Sequence, residues 1–152
     1  NSGLLGNFGQ ANYGAAKLGL VGFTRVLANE GIRKGIRVNA IAPVAKTRMT
    51  EDLLGPLGDK LEPAEVTPTV VYLAHEDCPV NGEVYSVAGG VVARYFIGLT
   101  PGWYGEGHSA EDVRDHFDQI RDETGYIVPE DPSGELRKLL ETLADAAATW
   151  DA

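Results

Sequence analysis

Cysteine is nearly absent from this chain: Cys78 stands alone among 152 residues. No disulfide can form within it, and such usage suits a reducing compartment. No His or Lys adjoins Cys78 to activate it, so its thiol is expected to be inert. His75, His108 and His116 share no ligand spacing with one another or with Cys78, and no metal site is expected. Nothing approaches 18 consecutive apolar residues, and no basic segment leads into an apolar one at the start. Neither a membrane span nor a signal segment is therefore expected, and no membrane partner. Basic residues are scarce as well, 13 Lys and Arg against 22 Asp and Glu. Nucleic acid, whose phosphates require a basic surface, is excluded as a partner.

What is present suffices for a globular core, since 43% of the residues are hydrophobic. The net charge of -9 is unevenly placed. Residues 1–104 hold nine acidic and nine basic side chains, whereas residues 105–152 hold thirteen acidic and four basic ones. A neutral body, 1–104, followed by an acidic extension, 105–152, is the expected domain organisation.

Along the body, Asn1 to Gly9 carries glycines at positions 3, 6 and 9 and reads as a tight loop. A long helix is expected from Gln10 to Glu30, with Gly31 as its C-cap. That helix is apolar on every side, only Lys17, Arg25 and Glu30 being charged, so more than one face should be buried. Gly14, Gly19 and Gly22 would admit a close neighbour, and a homo-oligomer built through this helix is expected. Ile36 to Ala42 reads as a strand, and Pro43 to Thr50 as the loop leaving it. Gly55 to Lys60 reads as loop, and a helix should start at Glu62–Glu65 with Val66, Val70, Val71, Leu73 and Ala74 as its buried stripe. Glu83 to Val87 reads as a further strand, left through Ala88, Gly89 and Gly90. Val91 to Leu99 should be extended. Strand, helix, strand order implies an α/β fold with a parallel sheet and crossover helices.

The extension reads as two acidic amphipathic helices. Ser109 should cap the first, with Asp112 completing a capping box and Val113, Phe117 and Ile120 as the stripe ended by Gly125. Ser133 should cap the second, striped by Leu136, Leu139, Leu140, Leu143 and Ala147.

Chemistry concentrates at Tyr13 and Lys17. Four residues apart on a helix, they lie on one face. An ammonium beside a phenol favours the phenolate, which suits proton exchange with an alcohol or ketone. Taken alone, the pair reads first as an ordinary helix surface pair. In the loop after the strand, Pro43, backbone groups of Val44 and Ala45 and the Thr47 hydroxyl could meet an amide. Thr47 and Thr50 also fit turn and N-cap positions for a short helix at Glu51–Leu54.

Gly9-Gln10-Ala11-Asn12-Tyr13-Gly14-Ala15-Ala16-Lys17, then Arg37-Val38-Asn39-Ala40-Ile41-Ala42-Pro43, then Gly82 to Gly90, resemble the carboxyl half of the short-chain dehydrogenase/reductase family. Gly6-Asn7-Phe8-Gly9, the ending Ala42-Pro43 and Arg48-Met49-Thr50 are similar to its (3R)-hydroxyacyl-CoA dehydrogenase branch, found in peroxisomal multifunctional enzymes of type 2 and bacterial relatives. The resemblance implies the C-terminal half of a doubly wound, Rossmann-like parallel sheet, followed here by the acidic two-helix extension. It implies Tyr13 as proton donor and acceptor, with Lys17 holding the nicotinamide ribose. Tyr13, Lys17, Pro43, Val44, Ala45 and Thr47 would then bind NAD or NADP, the resemblance favouring NAD. The substrate implied is a 3-hydroxyacyl or 3-ketoacyl thioester. Alternatives are a 3-ketoacyl-carrier-protein reductase, a generic alcohol dehydrogenase of this family, and a non-catalytic, helix-mediated assembly module.

The family's serine would fall just ahead of Asn1, and Ser2, eleven residues before Tyr13, is not assigned its role. The family's catalytic Asn and glycine-rich dinucleotide loop have no counterpart here, so the chain is expected to be a fragment, inactive alone. A cytoplasmic location is expected for a bacterial protein and a peroxisomal one for a eukaryotic protein, although Trp150-Asp151-Ala152 forms no peroxisomal signal.

Overall fold

A computed structural model describes residues 1–48, 50 and 55–148. The chain divides into two compact units, Asn1–Tyr95 and Phe96–Ala152. This division falls earlier than the charge step at 104.

The first unit is an α/β structure. Helices α1 (Ser2–Leu5) and α2 (Ala11–Gly31) precede strand β1 (Ala40–Pro43); α3 (Thr67–Ala74) then leads to β2 (Val84–Ala88) and β3 (Val91–Tyr95). Strand β1 pairs with β2 in parallel, from Ala40 opposite Val84 to Pro43 opposite Val87. The connection between them passes through α3, as parallel pairing demands. Strand β3 returns antiparallel to β2, an addition to the parallel sheet expected. The hairpin turn is Gly89-Gly90, with φ of 53° and 78°. Two consecutive positive φ angles give a turn whose twist matches the flanking strands, which glycine permits without strain. Val84 and Val87, three apart on β2 and so on opposite faces, are both buried, and Ala28, Cys78 and Thr24 complete the small core.

Several local expectations change. Residues 2–5 form a helical turn rather than loop. Gly31 does not cap α2: its backbone is helical, and the chain continues through a 3-10 turn, Ile32–Lys34, to Gly35, whose φ of 67° ends it. Gly31 instead makes room, since a Cβ there would stand 3.0 Å from both Cβ and O of Ile36. The strand expected at Ile36–Ala42 shrinks to Ala40–Pro43 because side-chain amides replace the first rungs. Asn81 Oδ1 accepts from Val38 N–H at 2.8 Å, and Asn39 donates to the Val80 carbonyl and accepts from Glu83 N–H. Arg37 donates to the carbonyls of His75, Glu76 and Cys78, placing a cation at the end of α3.

Gly55–Lys60 is 3-10 helix rather than loop. The helix expected from Glu62 splits into a 3-10 turn, Pro63–Val66, and α3, with Pro68 in the first turn of α3 where its missing N–H costs nothing. Its expected stripe is not buried: Val70, Val71 and Ala74 are exposed, and Val66 and Leu73 only half covered.

The second unit holds α4 (Ala110–Asp115), α5 (Phe117–Arg121) and α6 (Pro132–Ala148). The Ser109–Asp112 capping box forms as expected. The first helix breaks at His116 and ends before Asp122, not at Gly125. Asp131, not Ser133, caps α6, its carboxylate accepting from Gly134 N–H at 3.1 Å, while Ser133 lies inside the helix. The Trp103 ring stacks on His116 with centroids 4.2 Å apart and meets His108 edge-on. Leu136, Leu139, Leu140 and Leu143 remain exposed along α6. Among the described residues no helix is long and apolar enough to cross a membrane, and no group of three or more His, Cys, Asp and Glu could hold a metal.

Candidate active site

Tyr13 and Lys17 project from the first turns of α2. Lys17 Nζ lies over the Tyr13 ring, 5.5 Å from its centroid, so the phenol and ammonium share the face that four-residue spacing dictates. Half of the Tyr13 surface remains exposed. Both residues border a cleft of about 280 Å³ whose other walls are Asn1–Leu4 from α1, Leu20 and Val21 from α2, Ala40–Pro43 of β1, and Val84. The cleft thus touches β1 up to its carboxyl end, the edge at which ligands bind in open parallel sheets.

Of the residues expected at the site, Tyr13, Lys17 and Pro43 converge on this cleft. Val44, Ala45 and Thr47 lie outside its lining, in the loop that follows. That loop is fastened at several points. Val44 N–H donates to the Val87 carbonyl at 2.9 Å and Lys46 N–H to the Leu61 carbonyl at 2.7 Å. Lys46 Nζ holds Asp59 at 2.8 Å, and the hydrogen bond and charge of Lys46 keep the Asp59 carboxyl below its ordinary range. Thr50 Oγ1 donates to the Ala45 carbonyl, accepts from Thr47 N–H, and lies 3.1 Å from Thr47 Oγ1. The Val44 carbonyl and the Ala45 N–H take no hydrogen bond among the described residues. Such an adjacent acceptor and donor is the complement of a carboxamide. The short helix expected at Glu51–Leu54 lies outside the described residues.

Two contributions escaped the sequence reading. Helix α1 forms a wall of the cleft, although four residues carry no periodic signal; the only cue was Gly3 within Asn1-Ser2-Gly3-Leu4. Asn81, read as part of a turn, ties the segment entering β1 to α2, accepting from Val38 N–H and donating from Nδ2 to the Ala28 carbonyl.

A family model described as enoyl-(acyl carrier protein) reductase matches residues 2–92. A short-chain type dehydrogenase/reductase of Mycobacterium tuberculosis is 48% identical over 126 residues, 82% of this chain and 44% of that protein. The peroxisomal multifunctional enzyme type 2 of Mus musculus is 40% identical over 134 residues, 85% of this chain and 18% of that protein. Among solved structures, full-length peroxisomal multifunctional enzyme type 2 from Drosophila melanogaster superposes with a TM-score of 0.83 at 31% identity, covering 95% of this chain and 27% of the other. The chain belongs to the short-chain dehydrogenase/reductase family. It spans less than half the length of the relatives described above.

Family membership implies a nicotinamide cofactor. The residues present fit part of one. The cleft lies just under the range of about 300–1,000 Å³ common for small-molecule pockets, and its phenol and ammonium can hydrogen-bond ribose and alcohol oxygens.

Proposed function

We propose that the full-length protein carrying this chain is an oxidoreductase that moves a hydride between a nicotinamide cofactor and C3 of a 3-hydroxyacyl or 3-ketoacyl thioester. The convergence of Tyr13, Lys17 and Pro43 on one cleft carries this reading. The Tyr13 phenol, half exposed and bordering the cleft, would take the hydroxyl proton as the alcohol is oxidised and return it when the ketone is reduced. Lys17, on the same face, would hold the ribose hydroxyls, and the Val44 carbonyl with the Ala45 N–H would hold the carboxamide. Pro43 sets the exit of that loop from β1, and Thr47, through Thr50, keeps it closed. The cofactor, when bound, supplies or accepts the hydride.

The resemblance of Gly6–Gly9, Ala42-Pro43 and the loop after it to the (3R)-hydroxyacyl-CoA dehydrogenase branch supports a coenzyme A thioester as substrate, with NAD as the cofactor. The acidic second part of the chain, residues 105–152, supports the same choice, because it would repel an acidic carrier protein. Exposed Leu18, Phe23 and Val26 on α2 support a homo-oligomer built through that helix. A cytoplasmic location accompanies this reading for a bacterial protein and a peroxisomal one for a eukaryotic protein.

The test is turnover by the full-length protein. Oxidation of 3-hydroxybutyryl-CoA with NAD, followed at 340 nm, should exceed reduction of a 3-ketoacyl-carrier protein with NADPH. Preference for the carrier-protein substrate would replace the thioester assignment. Absence of turnover with every alcohol and ketone tried would leave an assembly role.

A further inference from the structure

We infer that Gly3 is a positioning residue for the proposed proton transfer, because it lets the backbone of α1 rest directly on the turn of α2 that carries Tyr13 and Lys17. The inference rests on the reading of that pair as the reacting site. A Cβ built on Gly3 would stand 2.7 Å from the Leu18 nitrogen, 3.1 Å from the Gly14 carbonyl oxygen and 3.1 Å from the Lys17 carbonyl carbon. In α2 the Leu18 N–H reaches back four residues to the Gly14 carbonyl, so α1 lies across the hydrogen bond that closes this turn. The fit is reciprocal, since a Cβ on Gly14 would stand 3.3 Å from the Ser2 carbonyl oxygen. The two glycines interlock.

Backbone torsion does not explain Gly3. It sits within the helical turn Ser2–Leu5 and is not among the glycines with positive φ. In such a conformation alanine is the better helix former. The close approach remains as its structural reason. The obstacle is the main chain of a 21-residue helix, not the end of a flexible side chain, so relief must come from α1. Because Asn1–Leu4 line the same cleft as Tyr13 and Lys17, displacement of α1 reshapes the space in which alcohol and cofactor must meet. Misplacement by about 1 Å can cost a hundredfold in rate.

Gly3→Ala, Gly14→Ala and Tyr13→Phe in the full-length protein test this, with 3-hydroxybutyryl-CoA and NAD as substrates. Gly3→Ala should lower kcat by about ten- to a hundredfold and displace the pH profile of kcat/KM, with the circular dichroism spectrum retained. Gly14→Ala, whose contact is looser, should shift both in the same direction by less. The role of Gly3 is overturned if Gly3→Ala keeps kcat and KM within twofold of the parent. It is equally overturned if losses follow only the folded fraction, with the pH profile unmoved in both glycine variants. Retained turnover in Tyr13→Phe would remove the underlying reading of the site. Abolished turnover there, beside an unchanged Gly3→Ala, would remove only the role of Gly3.

Discussion

Asn81 Nδ2 donates to the Ala28 carbonyl at 3.1 Å, while Oδ1 of the same amide accepts from Val38 N–H at 2.8 Å. One side chain therefore ties the last turns of α2 to the segment entering β1. Asn81→Ala would leave both backbone groups without that partner, and Ala28 is buried. The loss expected is about 1–3 kcal/mol. Urea unfolding of the full-length protein measures it, and a midpoint equal to the parent's would show that water replaces the amide.

Two glycines of α2 should answer differently to enlargement. Gly31→Ala forces a methyl against Ile36, where the nearest atoms would be 3.0 Å away, and should destabilise by about 1–3 kcal/mol. A Cβ added at Gly22 would meet nothing within 4 Å among the described residues beyond its own turn of helix. If a second copy covers α2 as proposed, Gly22→Leu should dissociate the oligomer, read as a fall in mass by light scattering at unchanged helicity. An unaltered mass would place the interface elsewhere.

On the sheet, Tyr85 donates to Glu83 Oε2, and Arg94 pairs with Glu83 Oε1 at 2.9 Å. Burial first, then the hydrogen bond to Glu83, pushes the Tyr85 phenol up to about 12. A raised folded-state value binds protons more tightly in the native chain. The associated stability is therefore full below about 10, the ordinary value, and disappears as pH rises through about 12. Difference titration at 295 nm between the parent and Tyr85→Phe should place the missing phenolate step above that of an ordinary tyrosine. A step near 10 would mean that Tyr85 is solvated.

In the acidic part, Ser109 donates from both Oγ and N–H to the Asp112 carboxylate, at 2.6 and 2.8 Å. Hydrogen bonds from Ser109 hold the Asp112 carboxyl below its usual 3.8. A depressed value contributes stability present above 3.8 and lost as pH falls through the folded-state value. Ser109→Ala should return the carboxyl toward 3.8, visible by carboxyl carbon NMR, and fray α4. An unshifted resonance would contradict the cap.

Local patterns made α2, the Tyr13–Lys17 pair, the second strand with its glycine exit and the Ser109 capping box legible in the sequence. Each is encoded within a few residues: apolar spacing, a four-residue interval, a double glycine, a Ser-x-x-Asp. What stayed hidden depends on partners distant in the chain. The early end of the pairing before Ala40 is set by Asn39 and Asn81, whose amides substitute for ladder bonds across about forty residues. Gly31 and Gly35 look alike as helix terminators; only the fold back of Ile36 decides that the first provides clearance and the second the turn. Asp131 precedes Pro132, and the proline starts α6 one residue before the serine that looked like its cap. The cleft shows the same division. Tyr13, Lys17 and Pro43 were readable from motif and spacing, whereas α1 enters through a backbone contact that leaves only a glycine as its trace.

The most direct measurement of the central claim is turnover by the full-length protein carrying Tyr13→Phe, which removes one hydroxyl and leaves the ring under Lys17. The account predicts kcat/KM for 3-hydroxybutyryl-CoA and NAD lower by about two to four orders of magnitude, with circular dichroism and oligomeric mass unchanged. Turnover within a few-fold of the parent would contradict it.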